Sequence, residues 1–303
     1  MSQASHSTSH IIQSLLVNVA IAVAKFVAAF FTGSGAMLAE AIHSSADCSN
    51  QILLLLGMKR AQKEPDPHHP LGYGRELYFW SFMVAMLLFT AGGVFSVYEG
   101  IHKILTPEPV DHVLVGLLVL VFSLALEGAS TFSNVKEIIK RRGALPFFQY
   151  LRDTKDSDLI VVFGENSAAS LGLLFALASI ALASLTGNAI WDGVGSLLVG
   201  LVLLAVAIFL AIEVKSLLIG EAADPTMEKA VREVAGAAPS IDSVLRILTI
   251  QQGPGEVMLA MKVKIQVGLS GTELVDAVNA FERSLRARLP EIRWLFVEPD
   301  NEA

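Results

Sequence analysis

The chain is poor in charge and nearly devoid of cysteine. Asp, Glu, Lys and Arg make up 17% of its 303 residues, against roughly a quarter in an ordinary soluble protein. Cys48 is the single cysteine, which excludes an intrachain disulfide and leaves the redox compartment undetermined. The net charge of −7 argues against a nucleic-acid partner, whose phosphates require a basic footprint. Glycine-rich phosphate loops, nucleophile triads and Cys-x-x-Cys pairs are missing. Gly72-Tyr73-Gly74 lacks both the strand–turn–helix setting and the lysine of a phosphate loop, and reads as a turn. Neither ATP hydrolysis nor any other enzymatic activity has support. Residues 1–10 are polar but lack the basic segment and cleavage site of a signal peptide.

Hydrophobic residues are abundant, at 53%, and unevenly placed. Residues 221–303 hold 22 charges, whereas the 220 residues before them hold 29, mostly between apolar runs. This division predicts a polar N-terminus over 1–10, a membrane domain over 11–220 and a soluble tail over 221–303. A bilayer needs about 20 apolar residues per helix, and six stretches fit: Ile11 to Thr32, Ala36 to Met58, Leu77 to Leu105, His112 to Ile139, Leu159 to Leu185 and Ile190 to Leu218.

Lys59, Arg60, Lys63 and Arg75 lie between the second and third stretches; Lys140, Arg141, Arg142, Arg152 and Lys155 lie between the fourth and fifth. The opposite connections carry almost no basic residues. The positive-inside rule then places the N-terminus, both long loops and the tail in the cytoplasm. The tail reads as helix, strand, strand, helix, strand. Asp224-Pro225-Thr226 opens a helix, Gln252-Gly253-Pro254-Gly255 turns a hairpin, and Val257 to Val267 alternates with period two. Such an αββαβ order suits a sheet with one face covered by two helices and the other free to pair with a second copy.

The most informative pair is His43 and Asp47. Residues at i and i+4 share a helix face, and an imidazole above a carboxylate can hold a divalent cation. Ionisable groups inside a span are costly and usually functional; the alternative is a His–Asp hydrogen bond that ties helices together. Glu40, Glu99, Glu127 and Asp192 fit helix–helix hydrogen bonds or a water-filled cavity; Glu40, Glu99 and Asp192 fall toward the outer ends of their spans, where a polar side chain can also reach the headgroups. Glu127 is deeper and needs a partner. Asn18 fits a helix–helix hydrogen bond.

These features together resemble the cation diffusion facilitators. Local wording agrees at Leu38-Ala39-Glu40-Ala41-Ile42-His43-Ser44, His69-Pro70-Leu71-Gly72-Tyr73-Gly74-Arg75 and Val97-Tyr98-Glu99-Gly100. The resemblance implies a six-helix membrane domain with a ferredoxin-like cytoplasmic tail. It also implies homodimers that export Zn²⁺ or related cations in exchange for protons, with no prosthetic group. It further implies two transport ligands from the second span and two from the fifth, and the fifth departs from that pattern. In the natural register Val162 and Asn166 take the ligand positions, with Glu165 adjacent.

Val162 cannot bind a metal, so the expected site is His43, Asp47 and Glu165, with Asn166 as a fourth ligand. Glu165-Asn166-Ser167-Ala168-Ala169 and Leu218-Ile219-Gly220-Glu221-Ala222-Ala223-Asp224-Pro225 resemble the branch that includes the mitochondrial zinc transporter. Asp66, His68 and His69 resemble a loop metal site, but Tyr73 stands where its last ligand would be, so a structural loop is expected. The tail has no His or Cys; Glu298 and Asp300 alone make a poor zinc site. The implied setting is a bacterial inner membrane. The competing expectation is a membrane protein of this fold that has lost transport and acts through its tail as a binding module.

Overall fold

The computed structural model describes residues 2–154 and 157–301. The expected basic residue Lys155 therefore lies outside the described residues. The chain divides into two compact units. One comprises Met1–Gly57, Trp80–Leu151 and Asp158–Val214; the other comprises Met58–Phe79, Arg152–Ser157 and Lys215–Ala303.

The first unit is helical. Its elements are α1 (Ser2–Thr32), α2 (Gly35–Ala61), α3 (Glu76–Leu87), α4 (Phe95–Leu105), α5 (Val113–Arg141), α6 (Phe147–Asp153), α7 (Ser157–Thr186) and α8 (Ile190–Ile219), of which α2, α3, α6, α7 and α8 extend past its boundaries. Four helices among the described residues are long and apolar enough to cross a bilayer: Glu76–Leu105, Val113–Arg141, Leu159–Thr186 and Ile190–Ile219. Among the described residues α1 contributes the apolar helix Asn18–Thr32, and α2 buries Glu40, His43, Ser44 and Asn50. α5 turns Leu114, Leu118, Phe122 and Phe132 outward. Exposed apolar surface on that scale has to be met by another apolar phase, here lipid.

Two features lay outside the sequence expectation. The third stretch is not one regular helix: Leu88–Val94 winds as a π-helix between α3 and α4. The loop after α5 contains the short helix α6, whose Leu151 packs with Ile138 and Leu159.

Glycines set the close approach of α4 and α8. A Cβ at Gly100 would stand 2.5 Å from the Leu197 nitrogen, and one at Gly200 would stand 2.6 Å from the Val97 nitrogen. Only hydrogen fits at either position. Where lipid replaces water, such tight backbone packing is the main source of helix association. The Ser196 hydroxyl donates to the Ser96 carbonyl at 3.0 Å along the same seam. Toward the Gly33 turn, an apolar plug of Ala28, Ala36, Met37, Leu120, Leu173, Ala176 and Ile180 fills the bundle.

The second unit carries the three-stranded sheet, ordered β1 (Ile241–Gly253), β2 (Glu256–Ile265), β3 (Ile292–Pro299). β1 and β2 are antiparallel, with Val244 opposite Val263 and Thr249 opposite Leu259. β2 and β3 are parallel, with Leu259 opposite Leu295. Parallel neighbours need a crossover, which is α10 (Gly271–Arg288); α9 (Pro225–Ala237) precedes β1. The expected alternation holds: Val257, Leu259, Met261 and Val263 are buried, along with Met227, Val231 and Ala235 of α9 and Phe281 and Leu285 of α10. Asp224 caps α9 through the Thr226 amide. Ser270 and Glu273 close a capping box on α10.

Within this unit, the segment after α2 packs on the hairpin. A Cβ at Gly74 would lie 2.6 Å from the Gln252 carbonyl oxygen. The loop from Lys63 to Tyr73 is closed by its own hydrogen bonds. Asp66 accepts from the Tyr73 hydroxyl at 2.6 Å and from the amides of His69 and His68 at 2.8 and 3.0 Å. These donors, Tyr73 foremost, hold its carboxyl far below the usual carboxylate range. Asp66 is thus spent on the turn, in keeping with a structural loop. In the tail, Glu298 and Asp300 both pair with Lys262.

Candidate functional site

His43 sits on the inner face of α2 with no solvent exposure. Its Nδ1 is 3.6 Å from Asp47 Oδ1, as the i, i+4 spacing requires. That separation is too long for a hydrogen bond. Both ring nitrogens of His43 and Oδ1 of Asp47 are buried with no hydrogen-bond partner among the described residues. Buried polar atoms are nearly always paired, so three orphans in one place call for an explanation. The alternative role for the pair, a His–Asp hydrogen bond, is not formed at this separation.

Asp47 lines a cavity of about 460 Å³ together with Glu165, Asn166 and Val162 of α7, Glu127 of α5, Asn18 of α1, and Ser44 and Gln51 of α2. Three of the four expected site residues therefore border one space, and His43 adjoins it through Asp47. Val162 occupies the first of the two positions on α7 and supplies only a methyl wall. Among the described residues, no three His, Cys, Asp or Glu side chains already stand together as a metal-holding group. Asn50 donates through Nδ2 to Glu165 Oε1 at 2.6 Å, joining α2 to α7 behind the cavity. Thr131 of α5 donates to the Asn166 carbonyl at 3.0 Å and bonds Ser170 at 2.7 Å, fixing the same turn of α7 from the other side.

Glu40 and Asp192 are fully buried and hydrogen-bond across helices rather than reaching the headgroups. Asp192 accepts from the Ser34 hydroxyl at 2.5 Å and from the amides of Gly35 and Ala36 at 2.6 and 3.3 Å. It caps the start of α2, where free amides and the helix dipole favour an anion. Glu40 is held by Lys25 at 3.2 Å, and Glu127, expected to need a partner, has the same one at 2.9 Å.

Lys25 and Asn50 were not singled out by sequence. A lysine within the first apolar stretch already implies a carboxylate partner inside the bundle. Asn50 follows His43 by seven residues and so shares its face.

The cation efflux transmembrane domain matches residues 11–219 of the chain. A frog protein (Xenopus laevis), the proton-coupled zinc antiporter SLC30A9, mitochondrial, is 34% identical over 281 residues, which is 92% of this chain and 49% of that protein. Its human counterpart is 33% identical over 241 residues, 79% of this chain and 42% of that protein. Metal tolerance protein C4 of Arabidopsis thaliana is 30% identical over 275 residues, 89% of this chain and 59% of that protein. The chain thus spans about half the length of the curated relatives it matches. An apolar bundle, a His–Asp pair on its inner face and a match over most of the sequence agree: the chain is an integral membrane protein of the cation efflux family.

Proposed function

We propose that this protein exports divalent cations, Zn²⁺ foremost, in exchange for protons. The observation that carries this is the His43–Asp47 pair, with three buried polar atoms that lack a hydrogen-bond partner among the described residues; of the two residues, Asp47 lines a cavity together with Glu165 and Asn166. Imidazole nitrogen and carboxylate oxygen are a suitable ligand set for Zn²⁺. In this reading Asp47, Glu165 and the side-chain amide oxygen of Asn166 close on the cation with His43. The named zinc antiporter relatives support the choice of metal.

Coupling follows from the ligands. A cation binds only to neutral imidazole and ionised carboxylates, so loading releases protons and protonation expels the cargo. The cavity extends along α2 from Ser44 to Leu54, toward the end that carries Lys59 and Arg60. The apolar plug around Met37 and Ile180 lies toward the opposite end. With the basic loops cytoplasmic, this is an inward-facing arrangement, and rocking of helix pairs would expose the site on the other side. All six long helices, α1, α2, α3–α4, α5, α7 and α8, cross the bilayer in this reading, with both termini cytoplasmic. The tail is ferredoxin-like and pairs with a second copy through the sheet face that exposes Leu248 and Phe296.

The test is Zn²⁺-for-proton exchange by the purified chain in proteoliposomes. Transport should vanish in His43→Ala and in Asp47→Ala; transport at the parent rate in both would sink the assignment. A second reading, a membrane protein of this fold that acts only through its tail, rests on Val162 in place of a ligand. It would be favoured by the absence of stoichiometric Zn²⁺, Co²⁺ or Mn²⁺ binding.

A further inference from the structure

Lys25 is the largest commitment of charge inside the bundle that transport as described does not use. It is fully buried on α1. Its ammonium donates to Ser44 Oγ at 2.8 Å, Glu127 Oε1 at 2.9 Å and Glu40 Oε2 at 3.2 Å. Three donors meet three acceptors, so the group is saturated. An ion pair buried this way recovers little net stability after desolvation, which makes a purely structural reason weak. Its location suggests a better one. Ser44 is the neighbour of His43 in sequence, and Glu127 lines the same cavity as Asp47 and Glu165.

Glu127 is divided between two roles. Oε1 is held by Lys25, while Oε2 is buried with no hydrogen-bond partner among the described residues. A carboxylate with one free oxygen at the wall of a cation cavity is a ligand in waiting. Glu40, the other partner, also has one oxygen without a hydrogen-bond partner, Oε1, but it does not line the cavity.

We infer that Lys25 is a tethered cation that withholds Glu127 from the transported metal, and that Glu127 is a latent ligand of the transport site. This rests on the transport reading above and adds to it a device for release. A dication attracts a carboxylate more strongly than an ammonium does, but a tethered group competes at high local concentration. The cargo is therefore held by fewer oxygens than the cavity contains. A carrier needs that compromise, since a site that binds too tightly cannot unload.

Removing Lys25 alone would strand two carboxylates, and such a variant could fail to fold. The informative variant is the charge-balanced pair Lys25→Met with Glu40→Gln, which frees Glu127 without changing net charge. The measurement is Zn²⁺ binding to the purified full chain in detergent micelles by equilibrium dialysis. The double variant should bind Zn²⁺ on the order of tenfold tighter than the parent, and adding Glu127→Gln should abolish that gain.

A double variant that binds no tighter, or a gain that survives Glu127→Gln, overturns the proposal. Asp47→Asn in the same assay separates the two levels. If the parent binds no Zn²⁺, or binds it equally well without Asp47, the transport reading fails and takes this proposal with it. If the parent binds through Asp47 and the double variant shows no gain, the role of Lys25 alone is refuted.

Discussion

Asn50 and Glu165, 115 positions apart, meet at 2.6 Å, the Asn50 amide donating to the Glu165 carboxylate. The bond joins the helix of His43 and Asp47 to α7, the helix of Glu165 and Asn166, the other two residues of the proposed site. Outer partners of this kind set the orientation of a ligand, and losing one typically costs about ten- to a hundredfold in metal affinity. Asn50→Ala should therefore weaken Zn²⁺ binding by about tenfold while leaving His43 and Asp47 in place. Equilibrium dialysis of the variant checks this; parent-like affinity would mean that Glu165 needs no such support.

The α7 register makes a second prediction. Asn166 borders the cavity and offers only a neutral amide where a carboxylate would bind Zn²⁺ better. Asn166→Asp should tighten Zn²⁺ binding by at least about tenfold, the gain expected from one added charge–charge contact at short range. Glu165→Gln should do the reverse. If Asn166→Asp changes nothing, the cation does not approach that turn of α7.

Much of this was legible before any coordinates. Apolar runs of bilayer length and the period-two alternation of β2 are local signals, and four of those runs and the alternation are seen among the described residues. His43 and Asp47 were readable because i, i+4 spacing puts two side chains together within one helix. What escaped needed information from a second helix. Glu40 and Asp192 sit near helix ends by count, which leaves both the headgroups and an unnamed helix–helix partner open. Their burial follows from Lys25 and from the start of α2, each distant in sequence. The π-helix at Leu88–Val94 escaped for a related reason, because composition does not record helical winding.

Asp192 carries a third prediction. It takes the hydroxyl of Ser34 and the first amides of α2 into one buried carboxylate. Asp192→Ala leaves those donors unpaired in a place that water does not reach. Hydrogen bonds to a charged group contribute about 1.5–3 kcal/mol each, so the variant should lose at least that much stability. A thermal melt in detergent should show the midpoint fall by several degrees, whereas Asp192→Asn should recover part of it.

Gly200 gives a fourth. Its hydrogen is what lets Val97 approach, and a side chain there would meet backbone rather than a flexible tip. Gly200→Val should force α4 and α8 apart, at a cost of about 1–3 kcal/mol or more. Size-exclusion chromatography and melting of the variant are the checks. Gly128, whose Cβ would meet nothing within 4 Å, serves as the control: Gly128→Ala should be neutral or slightly stabilising.

The tail offers a prediction in pH. Glu273 closes the capping box of α10 by accepting from the Ser270 hydroxyl at 2.7 Å and the Ser270 amide at 2.8 Å. Those donors, the hydroxyl first, hold its carboxyl below the ordinary glutamate value. A group whose folded pKa is depressed stabilises the fold once it is ionised. Its contribution is therefore full above the unfolded glutamate pKa of roughly 4.3 and is lost as pH falls through the lower, folded value. Amide exchange over Thr272–Leu274, corrected for intrinsic rates, should show the first turn of α10 loosening below about pH 4.3. Glu273→Gln should flatten that dependence. An acid-sensitive first turn that persists in Glu273→Gln would place the titrating group elsewhere.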